Sequence, residues 1–334
     1  MAMALYEPGL GYYTNELQKF GAMPASGSDF VTAPGLTPLF GRTLAVQVGQ
    51  ALAQTGTSEV FEFGAGTGAL ALQLLDALGD QVQRYTIIDL SGTLRERQAQ
   101  TLAARAHKVR WLSAWPEAIE GVVVGNEVLD AMPVQLLVRK TGVWHERGVA
   151  TEGESLTWAD RPTDLRPPMT IEGDHDYLTE IHPQGEAFIA SLAERLLASR
   201  GGAAFFLDYG FPEAEYYHPQ RHMGTVMCHH LHEADDNPLD KVGLKDVTAH
   251  VNFTGIAVAA QNAGLAVLGY TCQAHFLFNL GLAQRMESAP LPERVQAARL
   301  VNEHEMGELF KVIGLATTDW PAQGFARGDR THRL

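Results

Sequence analysis

The run Val60-Phe-Glu-Phe-Gly-Ala-Gly-Thr-Gly68 limits what this chain can fold into more than any other stretch. Val60, Phe61 and Phe63 are a short apolar run of the kind that makes a buried strand. Gly64, Gly66 and Gly68 follow, and glycine lets a backbone turn sharply and approach a ligand closely. From Ala69 to Leu78 the apolar residues Leu70, Leu74, Leu75 and Leu78 recur at helical spacing. A second apolar run, Tyr85 to Ile88, ends in Asp89. A carboxylate at that point can accept both ribose hydroxyls of an adenosine-containing cofactor. Strand, glycine turn, helix, strand and acid predict the nucleoside-binding half of a doubly wound α/β fold.

Two cofactors compete for such a unit. Gly64-Ala65-Gly66-Thr67-Gly68-Ala69 also fits the loose dinucleotide pattern G-x-G-x-x-G/A. Glu62 argues against a dinucleotide, because a pyrophosphate prefers the positive end of a helix and uncompensated N–H groups. S-adenosylmethionine has no phosphate and carries a sulfonium and an ammonium, which a nearby carboxylate suits. The form acid-x-Gly-x-Gly-x-Gly is the usual first motif of class I methyltransferases. An NAD-dependent oxidoreductase would also need a catalytic acid–base partner that the sequence does not offer. Glu62, Gly64, Ala65, Gly66, Gly68, Asp89 and Ser91 are therefore expected at the cofactor.

The rest of the chain reads as one Rossmann-like, seven-stranded α/β domain with inserted segments. Its 334 residues are 46% hydrophobic, enough for a large core. Acidic residues outnumber basic ones 39 to 25, a net charge of −14, which argues against electrostatic binding to nucleic acid or anionic lipid and suits a cationic substrate. Cys228 and Cys272 have no metal or redox spacing, no apolar stretch reaches membrane-spanning length, and the start is not a signal peptide, so a cytoplasmic location is expected. Residues 1–57 read as loops and a helix over the cofactor site, and 58–130 with 185–280 as the core. Residues 131–184 and 211–250 read as insertions for substrate or partner, and 281–334 as a helical cap. The closing antiparallel strand is expected at 273–280, after strand 265–270, with a helix from Pro292 to Phe310.

Chemistry is expected at the carboxyl ends of the strands, where ligands sit in doubly wound sheets. Strand 121–125 leads into Asn126-Glu-Val-Leu-Asp-Ala-Met-Pro133. Asn126 is expected near the cofactor's reactive end, and Glu127 with Asp130 can grip the planar donor fork of a guanidinium. Asp130 could equally cap the next helix. Asp208 ends the next buried strand as a further candidate to orient or deprotonate a substrate, or as a plain turn. Asp29 and Thr32 lie in a loop that can fold over a cofactor. The stretch Cys228-His-His-Leu-His-Glu-Ala-Asp-Asp236 has metal-ligand residue types without zinc spacing, and reads as an exposed polar loop with no metal.

These motifs together resemble the MidA family of methyltransferases, whose eukaryotic members are the mitochondrial complex I assembly methyltransferases. The marks are Ala4-Leu-Tyr-Glu-Pro-Gly-Leu-Gly-Tyr-Tyr13, Ser28-Asp-Phe-Val-Thr32, Glu62 to Gly68, Asn126 to Pro133, Asp208-Tyr-Gly210, Asp246 to Phe253 and Met306-Gly-Glu-Leu-Phe-Lys311, covering nearly the whole chain. The resemblance implies a class I fold, S-adenosyl-L-methionine as cofactor, and methylation of a protein arginine, in the mitochondrial branch on a respiratory-complex subunit. It carries the glycine loop onto Gly64, Gly66 and Gly68, the strand-end acid onto Asp89, the next loop onto Asn126, Glu127 and Asp130, and the later acid onto Asp208. The family's usual helical segment before Ala4 is short or missing here, and Asn252 stands where Asp is expected. The alternatives are a small-molecule methyltransferase and a non-catalytic assembly factor that binds the cofactor. An oligomer is compatible with either.

Overall fold

The apolar runs pair side by side into one central sheet in the computed structural model, which describes residues 1–15, 32–89 and 92–334. In chain order its main strands are β1 (Glu59–Phe63), β2 (Arg84–Ile88), β3 (Val109–Leu112), β4 (Gly121–Asn126), β5 (Gly202–Phe211), β6 (Ala266–Cys272) and β7 (Phe310–Ala316). Their spatial order is β3-β2-β1-β4-β5-β7-β6. The first five are parallel, and β7 runs antiparallel to both of its neighbours. A two-residue strand, Val251–Asn252, pairs with the end of β5. Strand order reverses between β1 and β4, so the crevice for a ligand opens at their carboxyl ends.

Helices cover both faces. One face packs against α1 (Leu39–Thr55) and α2 (Ala69–Leu78), the other against α4 (Pro183–Leu197) and α5 (Phe253–Asn262); α3 (Gly92–Thr101) follows β2. In β1, Val60 points into the first core and Phe61 and Phe63 into the second. Every residue of β4 is buried, because paired strands flank it and helices cover it above and below. That double burial explains why Gly121-Val-Val-Val-Gly125 reads as an unbroken apolar run in the sequence.

The segment between β4 and α4 folds as a separate antiparallel sheet of four strands, Gln135–Lys140, Val143–Glu152, Ser155–Pro162 and Tyr177–Ile181. A three-stranded sheet, Met227–His230, Glu233–Asp235 and Asp246–Thr248, lies between β5 and α5, and the His-rich stretch read as a loop forms two of its strands. Near the N-terminus, Ala2–Tyr6 is a short helix where a loop is expected. Among the described residues no helix is long and apolar enough to cross a membrane.

The end of the chain departs from the sequence reading. Residues Gln273–Asn279 are helical, and the closing strand is β7, so 281–334 is not simply a helical cap. The expected helix stops at Val301. All seven β7 residues are buried, so no alternation marks them as a strand, and Leu309, Phe310, Val312 and Ile313 continue a helix-like apolar spacing. Phe325 locks this edge. Its ring lies against paired Gly269 and Gly314, where a Cβ on Gly314 would fall 2.7 Å from the ring. Replacing Phe325 with Ala is expected to cost about 3–5 kcal/mol in urea unfolding. A loss under 1 kcal/mol would show that β7 is held without this ring.

Candidate active site

A cavity of about 1000 Å³ opens at the carboxyl ends of β1 and β4. The glycine turn forms one wall. Gly64, Gly66 and Gly68 all have positive φ, at 63°, 51° and 81°. Gly64 also has no room for a side chain, since a Cβ would lie 3.1 Å from Val128 Cγ2. Thr32, Glu62, Gly64, Ala65, Gly66 and Asp89 line the cavity as the sequence predicts, but Gly68 does not. Gly68 instead lets α3 come close, with a Cβ position 3.3 Å from Gln98 Cα. Asp29 and Ser91 lie outside the described residues.

Gln98 is a site residue that motif reading missed. It is fully buried, and its amide donates to Asp89 Oδ2 at 2.9 Å and to the Gly66 carbonyl at 3.2 Å. Its oxygen accepts from Trp111 Nε1 at 3.0 Å. One side chain thus ties the glycine turn to Asp89. A polar residue on the inner face of α3 was the only signal for it. On the neighbouring strand the Tyr85 hydroxyl donates to Glu62 Oε2 at 2.6 Å. Burial, with the charge of Asp89 adding to it, pushes the Glu62 carboxyl up to about 8 against that hydrogen bond.

The second wall is the segment after β4. Glu127 has φ +55°, a left-handed conformation that a non-glycine residue adopts at a cost. Its own N–H still bonds Leu207 of β5, at 2.9 Å. The turn aims the next three N–H groups at one atom, Asp208 Oδ2, from Val128 at 3.1 Å, Leu129 at 2.9 Å and Asp130 at 3.3 Å. Asp208 Oδ1 accepts the Tyr209 N–H at 3.0 Å. Asp208 is 1% exposed and does not line the cavity. Its expected role as a substrate-facing group is corrected: its carboxylate is used up in holding the 128–130 backbone.

Asn126, Glu127 and Asp130 do line the cavity. Asn126 Nδ2 donates to Glu127 Oε1 at 2.8 Å, which turns the amide oxygen away from Glu127. Tyr209 donates to Asp130 Oδ2. The remaining oxygens, Asn126 Oδ1 and Asp130 Oδ1, are buried acceptors with no partner. Burial and the charge of Asp130 push Glu127 up to about 8. Burial pushes Asp130 up to about 6, with the Tyr209 hydrogen bond opposing it.

The third wall comes from distant segments. Tyr6 and Tyr13 stack with ring centroids 5.6 Å apart and both line the cavity. Tyr6 donates to the Ala131 carbonyl at 2.8 Å, and Tyr13 to Asp246 Oδ1 at 3.0 Å. Asp246, His229 and His250 bring in the three-stranded sheet and the loop after it. Burial pushes His250 down to about 4, so it is neutral at pH 7. Among the described residues no group of three or more His, Cys, Asp or Glu is placed to hold a metal ion. Arg195 is the one Lys or Arg side chain among the described lining residues, and it is spoken for, lying 4.8 Å over the Trp115 ring. The site is therefore built for positive charge, and its glycine turn and Asp89 fit an adenosine whose tail is cationic.

Known proteins agree with that chemistry. Residues 41–271 match the family described as "Putative S-adenosyl-L-methionine-dependent methyltransferase", and the chain belongs to it. A protein of Burkholderia thailandensis solved with S-adenosyl-homocysteine bound is 47% identical, with TM-score 0.94 over 100% of this chain and 90% of that one. The mitochondrial protein arginine methyltransferase NDUFAF7 homolog of Caenorhabditis elegans is 26% identical over 96% of this chain and 80% of its own length. The NDUFAF7 protein of Danio rerio is 25% identical over 97% and 83%. The class I fold, the MidA-family resemblance and S-adenosyl-L-methionine as cofactor are thereby borne out.

Two outcomes are expected from this geometry. Asp208→Ala frees backbone donors at buried positions and is expected to lose about 3 kcal/mol or more in urea unfolding. Unchanged stability would show that the 128–130 turn holds itself. Glu62 has a folded pKa raised above its ordinary 4.5, so it holds a proton that the unfolded chain releases. Its burial then destabilises the fold as pH rises from about 4.5 to about 8. Glu62→Gln is therefore expected to melt like the parent at pH 4.5 and higher than it at pH 8, with S-adenosyl-homocysteine binding weakened about tenfold or more. Melting scans at the two pH values and calorimetric titration check both.

Proposed function

We propose that this S-adenosyl-L-methionine-dependent methyltransferase methylates a guanidinium nitrogen of arginine in a protein. The observation that carries the reading is the pair of buried, unpartnered oxygens, Asn126 Oδ1 and Asp130 Oδ1, beside the Glu127 carboxyl on one cavity wall. A buried acceptor without a donor is costly, and a guanidinium brings a planar fork of N–H donors to such an array. The naming of the curated relatives as protein arginine methyltransferases supports the same substrate class. The cavity is lined in part by the N-terminal segment and the loop after the three-stranded sheet, and its volume of about 1000 Å³ leaves room for an extended side chain beside a cofactor.

S-adenosyl-L-methionine supplies a methyl group on positively charged sulfur, electrophilic at carbon and open to in-line displacement. The work of the chain is binding, orientation and proton handling. Glu127 and Asp130 draw the guanidinium charge toward the nitrogens they hold, leaving the attacking nitrogen richer in electrons. Methylation exchanges one N–H for N–CH₃ while the guanidinium keeps its charge, so one proton must leave. Glu127, whose carboxyl is pushed up to about 8 in the free site, is the group placed to accept it. Asp208 acts only through the backbone it holds, and most of the rate comes from fixed geometry and preorganised charge.

The test follows methyl label into a bacterial protein extract, then acid hydrolysis. Label in methylarginine is the expected result; label confined to lysine, carboxyl esters or small molecules overturns the reading. Glu127→Gln is expected to lower the rate about 100-fold or more, with S-adenosyl-homocysteine affinity little changed. Activity toward arginine is expected to rise from pH 6 to pH 8, because the carboxyls raised to about 6 and about 8 must ionise to grip a cation. A flat profile over that range would rule out these two groups as the grip.

A further inference from the structure

Tyr209 lines the cavity beside Asp130. Its hydroxyl donates to Asp130 Oδ2. The residue before it, Asp208, holds the Asp130 N–H at 3.3 Å together with two preceding N–H groups. Two consecutive residues of β5 therefore hold Asp130 from both ends, backbone and side chain. The residue after them, Gly210, pairs with Val251, and a Cβ there would lie 2.1 Å from the Val251 carbonyl oxygen. That close approach carries the chain on to His250, whose ring stands edge-on to Tyr209 at 5.1 Å; Phe310 of β7 backs the tyrosine from another direction at 5.4 Å. The ring is thus wedged, with its hydroxyl against Asp130 and the Thr248 side chain beside it.

We propose that Tyr209 is a positioning residue for the acceptor: its hydroxyl occupies one oxygen of Asp130, keeps that carboxylate ionised, and leaves the other oxygen as the single acceptor presented to the substrate cation. The proposal rests on the guanidinium reading for the identity of the cation, but not for the effect on Asp130. The geometry leaves Oδ1 buried and without a partner while Oδ2 is filled. A donor on Oδ2 favours the charged form. The Ala131 and Asp130 backbone N–H groups act in the same direction, and among the described residues no other side chain facing Asp130 does. Glu127 lies on its own segment, Asp208 on β5, Asp246 on the three-stranded sheet, and Tyr6 and Tyr13 on the N-terminal segment, none bringing positive charge. His250 is neutral at pH 7. Tyr209 is then the side-chain donor that sets the carboxylate's state.

The test is Tyr209→Phe in the full chain, which keeps the ring and removes only the hydroxyl. The Asp130 carboxyl is followed by carbon-13 NMR titration with S-adenosyl-homocysteine bound, its signal assigned by its loss in Asp130→Asn. The expected result is a titration midpoint about one pH unit higher in Tyr209→Phe, with S-adenosyl-homocysteine affinity unchanged. With an arginine peptide as methyl acceptor, KM at pH 6 is expected to rise about fivefold and to recover toward pH 9, with kcat much less affected. A midpoint that does not move overturns the proposal, as does a loss of S-adenosyl-homocysteine affinity, which would make the hydroxyl a structural group only. A raised midpoint together with an Asp130→Asn variant that leaves acceptor KM unchanged sinks the guanidinium reading and, with it, the acceptor-positioning role, leaving only the effect of Tyr209 on the Asp130 carboxyl.

Discussion

One buried carboxylate, Asp208, sets the shape of the whole reactive edge. It stands at the end of β5 and takes three successive N–H groups from the segment that leaves β4. Successive N–H groups converging on an anion form a nest, a concavity that usually binds a ligand phosphate or carboxylate. Here the protein fills it with its own side chain. The left-handed Glu127 is tolerated because this nest over-determines the turn. Asn126, Glu127 and Asp130 then have no freedom about which way they face. An enzyme that relies on orientation needs that kind of stiffness, and a strand-to-strand brace supplies it through a carboxyl whose burial raises its proton affinity well above the usual carboxylate range.

The site is also where the fold carries its strain. Glu62, Glu127 and Asp130 are carboxyls whose surroundings raise their proton affinity, and among the described residues none has a cationic side chain to offset its burial. A structure selected only for stability would have apolar residues or ion pairs in such places. The opposite choice makes sense where a cationic cofactor is bound. Binding supplies the missing positive charge, draws the carboxyls into their ionised form, and recovers the desolvation cost at the moment of complex formation.

How much of this was legible in the sequence depends on how local its cause is. The glycine turn, α2, β2 and Asp89 follow from nearest-neighbour chemistry, and they stand where the pattern places them. Asn126, Glu127 and Asp130 were legible because a buried run followed by acids marks the carboxyl end of a strand. Asp208 was found by the same rule, and the rule misjudged its direction: residues at a strand end alternate in facing, and it is Tyr209 that reaches the cavity. Gln98, Tyr6, Tyr13 and Asp246 carry no local signal of their role. The last three appear in the sequence only inside longer motifs whose meaning is tertiary.

By itself, then, the amino-acid order determined the nucleoside-binding half-fold, the preference for a cationic cofactor over a pyrophosphate, and the acid-rich loop after β4. Each of these is decided within about thirty residues, by backbone freedom at glycine, by side-chain periodicity and by the charge of Glu62. Only the tertiary structure decided that the last main strand of the sheet comes from 310–316, that the Asp208 carboxyl lies off the cavity against the 128–130 backbone, and that tyrosines from the N-terminal segment line the cavity. Those outcomes depend on which segments meet across more than a hundred residues. A strand buried on both faces loses its alternation, and a carboxylate's role is set by whichever donors the fold brings to it.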